Sequence, residues 1–93
     1  MEKIYRMISN FSILTDDIQH LSAEACEKLQ CGDKVVKLTV EGDKELYHTY
    51  FVTHKQATGM CITYFACGYL ETISFDKVDG EWQAGEKEVW QAQ

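Results

Sequence analysis

From Lys34 to Trp90, apolar and polar positions alternate with a period of two, and short glycine turns interrupt them at Glu41-Gly42-Asp43-Lys44, Cys67-Gly68 and Val78-Asp79-Gly80-Glu81. Alternation of this kind marks half-buried strands, and such turns join antiparallel neighbours. Five strands are predicted: Lys34 to Glu41, Lys44 to Lys55, Met60 to Ala66, Tyr69 to Lys77 and Glu81 to Trp90. The Gly42-Asp43 hairpin sets Val36 opposite Thr49, Leu38 opposite Tyr47 and Val40 opposite Glu45. The Asp79-Gly80 hairpin sets Phe75 opposite Ala84 and Tyr69 opposite Trp90. Taking Gln56 to Gly59 as a four-residue loop brings Lys55 opposite Met60. Val36, Leu38 and Val40 then share one apolar face with Tyr47, Phe51, Met60, Ile62, Tyr64, Ile73, Phe75, Trp82, Ala84 and Trp90. A five-residue loop would divide these residues between the two sides, so consistency across the sheet selects the shorter one.

Ahead of the strands the spacing changes. Ile4, Met7, Phe11, Leu14, Ile18, Leu21 and Ala25 recur every three or four positions, which on a helix is a single stripe. Residues 1–31 are therefore expected to be helical, with a weak first part interrupted at Ser9-Asn10-Phe11-Ser12 and a firmer helix from Asp16 to Gln30. Thr15-Asp16-Asp17 supplies a cap and first-turn acids, Ser22 can cap a restart, and Gly32 can take the positive φ that closes a helix. The expected fold is α+β: an N-terminal helical segment packed on a five-stranded antiparallel meander over residues 34–90, with curling toward a partial barrel left open. Ninety-three residues without proline, repeats or a linker-like tract make one domain, 1–93.

Fifteen acidic against nine basic side chains give a formal charge of -6. That sign opposes the phosphate backbone, so direct nucleic-acid binding is not expected. The start, Met1-Glu2-Lys3-Ile4-Tyr5-Arg6, has no long apolar core of a secretory signal, and no stretch is apolar enough for a membrane span. A cytoplasmic protein with four reduced cysteines, chiefly packed as small hydrophobes, is the expectation.

Under the same register, reactive side chains converge on the other face of the two central strands: His48 across from Cys67, Tyr50 from Phe65, Val52 from Thr63 and His54 from Cys61. A Cys beside a His can become a nucleophilic thiolate or a metal ligand, but in a half-buried strand packing is the commoner role. His48 and His54 lie about 20 Å apart along one strand, so the two pairs cannot share a zinc ion, and each alone offers two ligands where four are needed. Cys26 and Cys31 resemble half of a zinc motif without its other half. No phosphate-binding glycine loop and no nucleophile elbow is present, so no cofactor, metal or catalytic residue is expected. Glu71 is the one acid inside an otherwise apolar strand pattern, facing Tyr64 and Ile73, where it requires a hydrogen-bonding partner or a raised pKa.

These features favour a non-enzymatic binding or regulatory domain that associates with itself or with a partner protein through His48, Tyr50, Val52, His54, Cys61, Phe65 and Leu70, with Val89 nearby. Rigid aromatics among polar groups are the composition of interface cores. One alternative is a small-molecule binder or enzyme with a pocket inside a curled sheet, lined by Glu71, Tyr64 and the tryptophans. Another is an acidic inhibitor of phage or mobile-element origin that occupies a nucleic-acid channel. Gathering of Asp76, Asp79, Glu81, Glu86 and Glu88 at one end would favour that reading.

Overall fold

The computed structural model describes residues 11–91. Their strands are β1 (Ser12–Thr15), β2 (Lys34–Glu41), β3 (Lys44–Gln56), β4 (Gly59–Ala66), β5 (Tyr69–Val78) and β6 (Glu81–Gln91), and one short helix, α1, spans Ala23–Lys28. All six strands form one sheet in sequence order, with β1 parallel to β2 and every later pair antiparallel. The expected helical segment on a five-stranded antiparallel sheet is thus corrected to a mixed six-stranded sheet with one short helix; the part of that segment before Phe11 lies outside the described residues. The linear strand order also means that the described sheet is open rather than a closed barrel.

Local hydrogen bonding explains why Phe11 to Gln30 does not form one helix. Ile13 and Thr15 are β-branched and fit a pleat. They pair with Val35 and Lys37 on the edge of β2. At Thr15-Asp16-Asp17, where a helix start is predicted, the Thr15 hydroxyl instead accepts from the Asp17 amide at 3.0 Å and closes a turn. The chain from Asp16 to Asp33 is then the crossover that a parallel pair requires. The helix starts only at Ser22, whose Oγ accepts from the Ala25 amide at 3.1 Å. It ends at Leu29, which is extended, and Gly32 (φ 93°) serves the Gln30–Asp33 turn that follows rather than a helix cap. Asp33, 8% exposed, ties this junction together, with Oδ1 accepting from the Phe11 amide at 3.1 Å and Oδ2 from the Gln30 amide at 2.9 Å.

The predicted strands are present to within a residue or so, and so are the pairings nearest the turns: Val36 with Thr49, Leu38 with Tyr47, Val40 with Glu45, Phe75 with Ala84, Lys55 with Met60 and His54 with Cys61. Two β-bulges displace the rest. Between Val52 and His54 the partners on β4 step only from Ile62 to Cys61, so Thr53 is an extra residue in β3. Between Ile73 and Phe75 the partners on β6 step from Lys87 to Ala84, so β6 carries an extra residue at Gly85-Glu86. A Cβ at Gly85 would sit 3.3 Å from the Ser74 carbonyl oxygen, the close backbone approach for which a strand glycine is used.

Each bulge reverses the phase of side chains beyond it. Tyr50 and Val52, each 2% exposed, are therefore inside, and Phe51 is outside. Val35 is buried where Val36 was expected, and Leu38 projects to the opposite side from Ile62 and Trp82. Tyr69 pairs with Gln91, and Trp90, paired with Leu70, moves to the outer face. The core is Ile18, Cys26, Leu29, Val35, Tyr50, Val52, Met60, Ile62, Ile73 and Phe75.

The crossover with α1 covers only one end of this inner face. Lys55 Nζ donates to the carbonyl oxygens of Cys26 at 2.7 Å, Glu27 at 3.4 Å and Leu29, satisfying the C-terminal end of α1. Glu27 Oε2 accepts from Lys77 Nζ at 2.6 Å and from Trp82 Nε1 at 2.8 Å, fixing the helix over the start of β6. No helix among the described residues is long and apolar enough to cross a membrane.

Candidate functional site

Two surfaces follow from this architecture. The first is the end of the inner face that the crossover leaves bare. Lys37 of β2 lies across from His48 of β3, Tyr50 across from Tyr64 of β4, and Tyr64 across from Glu71 of β5. With Ala66 and Tyr69 they line an open groove of about 320 Å³. The His48 ring meets Tyr64 edge-on with centroids 5.1 Å apart, and Tyr64 in turn meets Tyr69 at 6.1 Å and 67°.

Glu71, 6% exposed, forms the floor. Its Oε2 accepts from the Tyr50 hydroxyl and its Oε1 from the Tyr69 hydroxyl at 2.8 Å, while Lys87 Nζ of β6 lies 3.9 Å from Oε1. Burial acts to raise the Glu71 pKa, but the two phenol hydrogen bonds, with Lys87 and Lys37 nearby, outweigh it and hold the carboxyl below its ordinary value. Glu71 is thus an ionised, hydrogen-bonded carboxylate. Of the two requirements set by its sequence position, the partner is met and the raised pKa is not. Burial, then hydrogen bonding to Glu71, pushes the Tyr50 phenol far above its ordinary value, so Tyr50 keeps its proton as a donor. His48 Nδ1 is buried with no hydrogen-bond partner among the described residues. The groove also differs from the expected pocket in its walls, because neither tryptophan lines it. Trp82 instead borders a separate recess with His20, Leu21, Phe75 and Ala84.

The second surface is the outer face of the sheet. Val40 is 64% exposed, Leu14 62%, Phe65 55% and Trp90 51%, and Tyr47 and Phe51 are also exposed there. Between them runs a ladder of hydroxyls, Thr53 to Thr63 at 3.0 Å and Thr63 to Thr72 at 3.4 Å.

The residues expected to act together at an interface are divided by the Thr53 bulge. His48, Tyr50 and Val52 face inward, whereas His54, Cys61, Phe65 and Leu70 face outward. His48 does not meet Cys67, since the register that puts Tyr50 across from Tyr64 carries His48 past it. His54 remains across from Cys61, but its Nε2 is bonded to the Gln56 amide at 2.9 Å and the Cys61 thiol lies 3.5 Å from the Ser74 hydroxyl. Cys26 is buried and Cys31 exposed, and among the described residues no three His, Cys, Asp or Glu side chains gather as metal ligands. Asp76, Asp79 and Glu81 surround the last turn, but Glu86 and Glu88 lie farther along β6 with Lys87 between them, so the five acids do not form one patch at one end.

Lys37, Tyr69 and Lys87 were not singled out in the sequence. Tyr69 alternates with Glu71 and so had to share its face; the two lysines come from strands on either side and are placed by register alone. Compared with family models, curated proteins and solved structures, the chain matches none of them.

Proposed function

We propose that this chain is a binding domain that associates through the outer face of its sheet, with a second copy of itself as the occupant. One observation carries the reading: a crossover packs on one end of the inner face, while the outer face exposes Leu14, Val40, Tyr47, Phe51, Phe65 and Trp90 with nothing among the described residues packed across them. Apolar exposure on this scale, concentrated on one side of a small protein, is characteristic of association surfaces. The centre of the face, at Leu38, Phe51, Thr63, Phe65, Leu70 and Thr72, consists of uncharged residues, and the charges at its border, Lys34 over the Phe51 ring and Glu88 across from Thr72, are of opposite sign. Two copies of a chain with net charge -6 can therefore stack there without opposing carboxylates at the centre of contact. A cytoplasmic setting and a protein rather than nucleic-acid partner belong to the same proposal, supported by four free cysteines and by the acidic balance.

Light scattering coupled to size-exclusion chromatography, run over a concentration series, tests it. Tyr50 is buried against Glu71, so the informative change is at Phe65, which is 55% exposed. Wild type is expected to run as a dimer and Phe65→Asp as a folded monomer with an unchanged circular dichroism spectrum. A wild type that stays monomeric up to its solubility limit, or a Phe65→Asp variant that remains a dimer, overturns the proposal.

A further inference from the structure

We infer that the groove above Glu71 is a binding site for a small planar organic anion, an aromatic ring bearing a phosphate or carboxylate group. This goes beyond the association reading and does not depend on it, since the groove lies on the opposite face of the sheet. Charge comes first. Glu71, the only carboxylate lining the groove among the described residues, already accepts from the hydroxyls of Tyr50 and Tyr69 and has Lys87 3.9 Å away. Lys37 lines the groove and has no ion-pair partner among the described residues. Two ammonium groups thus face one satisfied carboxylate, which makes the groove locally positive on a chain of net charge -6. A cationic ligand would meet Lys37 and find Glu71 occupied; an anionic oxygen would give Lys37 the partner it lacks.

Shape comes second. Tyr64 stands between His48 and Tyr69, with ring centroids 5.1 and 6.1 Å away and planes crossed at 75° and 67°. Crossed rings of this kind present edges and faces on which a flat ring can pack. A volume of about 320 Å³ accommodates a compound of one ring. The buried Nδ1 of His48 has no hydrogen-bond partner among the described residues, so this wall carries a polar atom that their contacts leave free.

The experiment is a heteronuclear NMR titration of the full chain with phenyl phosphate, inorganic phosphate and benzylammonium. Phenyl phosphate is expected to shift the amides of Lys37, His48, Tyr64 and Tyr69 saturably, leaving Asp76 and Gln83 at the far end of the β5–β6 hairpin in place. Inorganic phosphate should bind more weakly, and benzylammonium should produce no saturable shift. Lys37→Met is expected to weaken phenyl phosphate about tenfold or more, the loss typical of one charge-assisted hydrogen bond, while Lys44→Met in the first hairpin turn leaves it unchanged. Should Lys37→Met disturb the spectrum of the free protein, Tyr64→Leu supplies the second reading: it should weaken phenyl phosphate and spare inorganic phosphate. No saturable binding of phenyl phosphate, benzylammonium binding as tightly, or a Lys37→Met variant that binds like wild type while folded would each overturn the inference.

Discussion

Replacing Tyr50 by Phe removes one hydroxyl and almost nothing else. The ring is 2% exposed, packed in the core beside Tyr64, and its hydroxyl donates to the carboxylate of Glu71, which is itself buried at 6% exposed. A hydrogen bond to a charged acceptor contributes about 1.5–3 kcal/mol, and Glu71 keeps the Tyr69 hydroxyl at 2.8 Å, so the expected loss is near the middle of that range, about 2 kcal/mol. In a chain of this size each kcal/mol moves the melting temperature by about 4–8 °C, giving a fall of about 8–16 °C. Glu71→Leu should cost a similar amount by leaving the Tyr50 hydroxyl buried without an acceptor. The double variant should lose less than the two singles together, because an apolar pair leaves neither partner unsatisfied. The effect also has a pH dependence of definite sign. A carboxyl whose pKa is lower in the fold than in the unfolded chain stabilises above its unfolded pKa, about 4.3, and loses that contribution as the pH falls through the folded value. Burial raises the Glu71 pKa, but the Tyr50 and Tyr69 hydroxyls with Lys87 and Lys37 bring it below the ordinary value. The gap between wild type and Tyr50→Phe should therefore be full at neutral pH and narrow below about pH 4. Urea denaturation followed by circular dichroism, at neutral and acid pH, measures it. Equal midpoints at neutral pH, or a gap that persists unchanged in acid, would refute the assignment of Glu71 as an ionised acceptor.

Two further changes probe the packing. Val35 is fully buried and its neighbour Val36 faces the outer side, so Val35→Ala should cost about 2 kcal/mol in urea denaturation and Val36→Ala less than about 1 kcal/mol; similar losses at both sites would contradict the phase set by the Thr53 bulge. Lys55→Met deletes the donor shared by the carbonyl oxygens of Cys26, Glu27 and Leu29, and should speed amide hydrogen exchange at Cys26 and Leu29 while leaving the Ile62 and Ile73 amides protected.

Features written in short-range sequence were legible, and features written in long-range pairing were not. A hairpin register depends on its own turn, so Val36 with Thr49 and Phe75 with Ala84 could be read directly from Gly42-Asp43 and Asp79-Gly80. The place of β1 depends on an edge of β2 some twenty residues later in the chain, and no local signal distinguishes a strand plus crossover at Phe11 to Gln30 from an amphipathic helix with the same apolar spacing. The candidate site was legible in proportion: Glu71 stood out as an acid in an apolar strand, whereas Lys37 and Lys87 gained meaning only once the registers of β2 and β6 placed them on the face of Glu71.

The bulges did leave marks, and those marks explain why both faces carry aromatic side chains. Tyr50, Phe51 and Val52 are three apolar residues in a row, which strict alternation with one buried face cannot place; the extra residue Thr53 turns the outer pair inward and leaves Phe51 outside. Gly85 is a glycine inside a strand pattern, at the point where the backbone of β6 approaches Ser74. Had β6 continued without its bulge, Trp90 would share the inner face with Ala84; with it, Trp90 pairs with Leu70 outside. Phase reversal on β3 and on β6 thus sends Phe51 and Trp90 to the face proposed for association and keeps Tyr50 beside Glu71 in the groove. One prediction follows for the two surfaces together: the Phe65→Asp monomer should bind phenyl phosphate as the wild type does, because Phe65 and the groove lie on opposite sides of the same strands.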